Sequence, residues 1–175
     1  IIQVSLPELR VTWLCVTLLS VLYFIYCNEM WNQLDSLTGL LNQNSYLKQT
    51  GGGRRNGGVL VVFDVDNFKQ INDRYGHVQG DVCLAEIAEC IKKVYANYGY
   101  CYRIGGDEFC VLLKNSEKEG VCKQEFLWRM EEKRRKITFL PTVSYGSASF
   151  SGEDIVEVKE RADRDMYQYK NERKK

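Results

Sequence analysis

Charge is absent from residues 11–27, VTWLCVTLLSVLYFIYC, and apolar side chains fall all around a helical wheel drawn through them. As a helix this run would rise about 26 Å, slightly short of a membrane's hydrocarbon layer, with Leu9 available to extend it. Trp13, Tyr23, Tyr26 and Trp31 are placed to anchor it at the interfaces. The sequence opens on Ile1-Ile2 without an initiator Met, and it lacks the basic start and small-residue cleavage pattern of a signal peptide. The expectation is the last membrane helix of a longer receptor; a buried or dimer-forming helix of a soluble protein is the alternative. Residues 28–34 read as a connector. The chain therefore divides into a hydrophobic helix with connector at 1–34 and a separate domain at 35–175.

In the second part the pattern changes. Residues 35–42, DSLTGLLN, form a compact turn with Leu37, Leu40 and Leu41 as apolar anchors, and Asn42 or Asn44 can cap a helix through Tyr46, Leu47 and Lys48. A glycine-rich loop with Arg54 and Arg55 follows over 50–58. Val59 to Phe63 is a continuous apolar, β-branched run, the mark of a strand buried on both faces. It ends in Asp64-Val65-Asp66, with both carboxylates on one side by the two-residue period.

Residues 67–73 read as a short helix or turn with Phe68 and Ile71 as apolar contacts. Gly76 and Gly80 punctuate a turn, and Asp81 can cap a helix over 82–96 that packs through Leu84, Ile87, Ala88, Ile91, Val94 and Tyr95. Tyr100 to Leu113 reads as a hairpin around Gly105-Gly106-Asp107-Glu108. A charge-rich helix over 117–135 buries Val121, Phe126 and Met130. Pro141 marks the start or edge of a strand within 137–150. The last helix, 153–169, packs through Ile155, Val158, Ala162 and Met166. Lys170, Arg173, Lys174 and Lys175 make a basic tail.

Composition narrows the chemistry. A formal net charge of +1 argues against a broad nucleic-acid surface. The seven cysteines include no CxxC pair, and His77 is the only histidine. Buried free thiols in a reducing compartment are expected, rather than a zinc site or a Ser-His-Asp nucleophile. What remains is acidic. Asp64 closes one strand and Asp107-Glu108 open another; on neighbouring strands they would gather hard oxygen ligands for Mg²⁺, with phosphate completing the shell. Lys69 is a candidate phosphate partner. Asn72 and Asp81 together can read guanine, whose N–H donors match a carboxylate acceptor; capping and turn roles are the plainer alternative.

Gly105 to Phe109 resembles the signature of the GGDEF family, the diguanylate cyclases. So do DSLTGLLN at 35–42 (with Gln43 where Arg is usual), FDVDNFKQIND at 63–73, YGH at 75–77 with Gly80-Asp81, TVSYG at 142–146, and RADRDMY at 161–167. The likeness runs from Leu34 to about Lys174. It implies an α+β fold with a five-stranded, mainly antiparallel sheet flanked by helices, similar to nucleotidyl cyclases and polymerase palm domains.

The resemblance further implies condensation of two GTP into cyclic di-GMP with release of two pyrophosphates. Asp64, the Val65 carbonyl and Asp107 would hold two Mg²⁺ (or Mn²⁺) ions per GTP site. Glu108 would add a metal contact or assist deprotonation of the ribose 3′-hydroxyl. Lys69, Lys170 and Lys174 would meet the phosphates, Asn72 and Asp81 the guanine, and Phe68, Gly105 and Gly106 would border the nucleotide.

A second copy of the domain would supply the other GTP, with an upstream membrane or sensory region governing the pairing. Placement at the bacterial inner membrane with the domain in the cytoplasm follows, or a cytoplasmic protein if the first helix does not span. The family's inhibitory product site has the form RxxD; Ala96 and Gly99 stand at those positions, so no such site is expected. A non-catalytic module of the same family, binding GTP or only pairing, is the alternative function. A general nucleotidyltransferase fits the near-neutral charge less well.

Overall fold

The computed structural model describes residues 7–51 and 57–173. The chain divides into two units, 1–34 and 35–175. In the first, helix α1 spans Pro7–Trp31. Its described side chains, at 11–29, are exposed apart from a half-buried Cys27. The stretch Val11–Glu29 is long and apolar enough to cross a membrane, with mean hydropathy 1.7. Thr17 and Ser20 turn their hydroxyls back onto the Trp13 and Val16 carbonyls, each at 2.8 Å. These groups thus need no water to satisfy them. The side chains of Leu9 and Trp31 lie outside the described residues.

The second unit is built on a sheet of order β2-β3-β1-β4, antiparallel throughout. The elements are α2 Gln43–Thr50, β1 Gly58–Val65, α3 Phe68–Tyr75, α4 His77–Tyr95, β2 Gly99–Arg103, β3 Glu108–Leu113, α5 Glu119–Lys136, β4 Val143–Phe150 and α6 Ile155–Glu172, with a short 3-10 turn at Ser116–Lys118. Asn42 caps α2 by accepting from the Ser45 N–H at 3.0 Å.

The unbroken apolar run of β1 has the expected cause: helices cover both of its faces. Val59, Val61, Phe63 and Val65 point into one cluster with Ile87, Ile91, Tyr95 and Phe126 from α4 and α5. Leu60 and Val62 point into a second with Tyr46 of α2 and Val158 and Ala162 of α6. Phe63 meets Tyr95, Phe126 and Tyr145 edge-on at centroid distances of 5.7, 5.0 and 5.5 Å.

Three readings are corrected. The sheet has four strands among the described residues, not five. The outer edge of β4 is closed by side chains of α6: Asp165 accepts from the Ser147 N–H at 2.8 Å, and Arg161 donates to the Ser149 carbonyl at 2.7 Å. The opposite edge, on β2, is bridged by Leu41, whose N–H and carbonyl pair with Cys101 and Arg103.

Val121 is 64% exposed, because the buried stripe of α5 runs Cys122, Phe126, Met130 at four-residue spacing and Val121 falls off it. Helix α4 starts at His77, so Gly80 and Asp81 lie within it and Asp81 is no cap. Gly80 is there for room: a Cβ would stand 1.9 Å from Asn72 Oδ1.

Cys83, Cys90, Cys101, Cys110 and Cys122 are buried and free. Burial pushes the Cys83 thiol up to about 11 and the Cys101 thiol up to about 12, so both stay protonated. Arg54, Arg55, Lys174 and Lys175 lie outside the described residues.

Candidate functional site

Sheet register assembles the acidic centre. Asp64, near the end of β1, pairs directly with Glu108 on β3 and Ser144 on β4. One residue on, the Val65 N–H donates to the Asp107 carbonyl at 3.2 Å. Two stretches more than forty positions apart thus meet at one end of the sheet.

The turn between β2 and β3 is held from within and from outside. The Ile104 and Gly105 N–H groups donate to the Glu108 carbonyl at 3.0 and 3.4 Å. Neither Gly105 nor Gly106 takes a left-handed φ. A Cβ at Gly105 would crowd the Glu108 side chain at 3.2 Å, whereas Gly106 is exposed with open space where a Cβ would project. From outside, Arg103 donates to the Gly106 carbonyl at 2.7 Å and pairs with Asp35 at 3.1 Å. Asp35 also accepts from the Thr38 N–H and hydroxyl at 2.9 and 2.6 Å.

This Asp35–Arg103–Gly106 chain was not foreseen from the sequence. Its one signal was a charged residue inside an otherwise apolar strand, directly before the turn.

A lysine lies on the acidic centre. Lys170, in the last turn of α6, stands 2.5 Å from Asp64 Oδ1 and 3.6 Å from Asp66 Oδ1. Burial alone would lower its pKa, but the two carboxylates outweigh burial and raise it. A cleft of about 120 Å³ opens beside it, lined by Asp66, Asn67, Thr142, Ser144, Lys170 and Arg173. A larger one, about 1090 Å³, lies on the α2/α6 side and reaches Glu108, Ile104, Tyr46 and Lys159. It is set apart from the base-reading candidates on α3 and α4.

Asn72 on α3 packs against Gly80 on α4, the residue before Asp81, and its Oδ1 is buried with no hydrogen-bond partner among the described residues. Phe68 lies beside the same glycine, its Cζ 3.3 Å from the Cβ position, and packs on the core. Lys69 is exposed on the first turn of α3. Lys174 falls outside the described residues. Ala96 ends α4 and Gly99 opens β2, where a Cβ would lie 2.1 Å from the Leu112 carbonyl oxygen. An aspartate at 99 would force the two strands apart.

Among the described residues no group of three or more His, Cys, Asp or Glu side chains is gathered for a metal. The donors nevertheless suit one in kind: hard oxygens from Asp64, Glu108 and Asp107 at adjoining strand ends, with Lys170 balancing Asp64.

Fold and site together define an α+β domain with acidic strand ends facing a lysine on its closing helix. The profile described as "Diguanylate cyclase, GGDEF domain" matches residues 32–175, and the chain belongs to the GGDEF family. Diguanylate cyclase A of Treponema denticola is 32% identical over 138 residues, 75% of this chain and 37% of that protein. Diguanylate cyclase DgcS of Shewanella oneidensis is 33% identical over 150 residues, 81% of this chain and 51% of its own. The chain thus spans about half or less of these curated relatives. Among solved structures, the coiled coil and GGDEF domain of DgcB from Caulobacter crescentus, in complex with c-di-GMP, is similar with a TM-score of 0.81 at 25% identity, covering 94% of each chain. SiaD of Pseudomonas aeruginosa, solved with its activator SiaC, gives 0.69 at 28% identity, covering 94% of this chain and 70% of that one.

Proposed function

We propose that residues 35–175 are the catalytic domain of a diguanylate cyclase that joins two GTP into cyclic di-GMP and releases two pyrophosphates. The observation that carries this is the register pairing of Asp64 with Glu108, with Asp107 tied to Val65, in a chain that keeps the family's signature. Asp64, the Val65 carbonyl, Asp107 and Glu108 would hold two Mg²⁺ (or Mn²⁺) ions. Bound there, these lower the pKa of the ribose 3′-hydroxyl and offset phosphate charge.

The chain's own groups do the rest. Asn72 and Asp81 orient guanine, and Asp81 favours GTP over ATP. Phe68, Gly105 and Gly106 border the nucleotide. Lys69, Lys170 and Lys174 meet the β- and γ-phosphates. Glu108, exposed at the start of β3, is placed to take the hydroxyl proton or to join the metal shell. Each domain holds one GTP, so the product forms across a transient pair of domains that aligns hydroxyl and α-phosphate.

Helix α1 would span the bacterial inner membrane, leave the domain in the cytoplasm and couple an upstream region to pairing. With Ala96 and Gly99 in place of RxxD, the domain lacks the primary product-inhibition site. The test is incubation with GTP and Mg²⁺ over a range of protein concentrations. Cyclic di-GMP and pyrophosphate should appear with second-order dependence on protein; a chain shown to pair yet yielding neither would sink the proposal.

A further inference from the structure

Asp66 stands one residue past β1 and has no part in the reaction proposed above. Its side chain is 14% exposed and held from two sides. Ser144 donates to Oδ1 and Thr142 to Oδ2, each at 2.6 Å, while the Asp66 N–H donates to the Thr142 carbonyl at 2.9 Å. Two cations of the α6 end face it: Lys170 Nζ at 3.6 Å from Oδ1 and Arg173 Nη1 at 3.8 Å from Oδ2. Lys170 lies nearer to Asp64, at 2.5 Å. One ammonium thus sits between a carboxylate fixed by two hydroxyls and another whose ion-pair partner among the described residues is that ammonium itself.

We propose that Asp66 is a positioning residue: pinned by Thr142 and Ser144, it keeps the Lys170 ammonium at the strand end when another cation takes Asp64. This rests on the reading that Asp64 binds a divalent metal and Lys170 meets phosphate. Asp64 does not serve a dication and an ammonium at 2.5 Å together, because the two positive charges repel. Released, Lys170 finds a second carboxylate already within 4 Å and turns on its flexible stem instead of leaving for solvent. Asp66 does not follow, since its short charge-assisted bonds to β4 fix both oxygens. The small cleft beside Lys170 gives the ammonium room to turn.

Asp66→Asn keeps a hydrogen-bonding group for each hydroxyl and removes the charge. The expected result is a KM for GTP raised about tenfold, with kcat within about threefold. Combined with Lys170→Ala, it should add nothing beyond Lys170→Ala alone. Thr142→Val, which frees one oxygen but keeps the carboxylate, should shift KM the same way by about threefold, and it stands in if Asp66→Asn folds poorly.

A readout independent of turnover is the Lys170 ammonium signal in chain carrying ¹⁵N-lysine, identified by its loss in Lys170→Arg. It should persist when Mg²⁺ is added to wild type and broaden away when Mg²⁺ is added to Asp66→Asn. Additive effects in the double variant, or an ammonium signal indifferent to Asp66→Asn, overturn the proposal. If wild type makes no cyclic di-GMP, the enzymatic reading fails, and the spectra still decide the placement of Lys170.

Discussion

Arg103 pairs with Asp35 at 3.1 Å and, with the same guanidinium, holds the Gly106 carbonyl at 2.7 Å. The turn that carries Asp107 is thereby latched to the first motif of its own domain. Arg103→Ala is expected to leave the domain folded, at a cost of about 1–2 kcal/mol, and to lower kcat by about tenfold or more as the turn loosens. Denaturant melts and initial rates check this; an unchanged kcat would show that the latch serves stability alone.

Asp35 gives that latch a pH dependence. Burial opposes its charged form, but hydrogen bonds from Thr38 and Arg103 outweigh burial and hold the carboxyl below its usual range. A lowered folded-state pKa means that the contribution is complete above the unfolded value, about 3.9, and is lost as pH falls through the folded value. Wild type and Asp35→Asn should differ most near neutrality and converge in acid as pH falls through the folded value. Denaturation curves across that range test the assignment, which fails if the gap stays constant.

Asp64→Ala should abolish cyclic di-GMP synthesis while leaving the fold intact, because it removes a carboxylate at a strand end and no core contact. Chelation should silence wild type in the same way, and Mg²⁺ should restore it. Retained activity in Asp64→Ala would refute the metal assignment.

Gly80→Ala would place a methyl 1.9 Å from Asn72 Oδ1. Displacement of the Asn72 amide should cost about 1–3 kcal/mol and raise the KM for GTP more than it lowers kcat. Equal affinity in the two forms would argue against guanine reading by Asn72.

Arg161→Ala with Asp165→Ala uncovers the edge of β4. The expected outcome is concentration-dependent association with added β signal, since an open edge templates further strands. Light scattering and circular dichroism follow it, and a monodisperse double variant would mean that α6 covers the edge by bulk alone.

The fold was legible where period and burial agree. Val59 to Phe63 announced a central strand, and Val158 with Ala162 announced the inner face of the last helix. Asp64 and Asp107 were legible as carboxylates at strand ends, whereas Asp81, read as a cap, lies inside α4. The four strand segments read from the residues match the four strands found, and the fifth came only with the family resemblance. Gly80 failed as punctuation because glycine's other use, close helix approach, looks identical in one dimension. Arg103 was given no role, and Asp66 only a place on the side of Asp64, for a related reason: their meaning lies in partners 68 and 76 or more positions away.

Helix α6 anchors its first half in the core through Val158 and Ala162 and carries Lys170 in its last turn. That last turn is docked on the sheet as well: Lys170 pairs with Asp64, Arg173 donates to the Val143 carbonyl, and Tyr169 packs on the core. The contacts that hold the end of the helix in place are therefore the same ones that close the acidic centre.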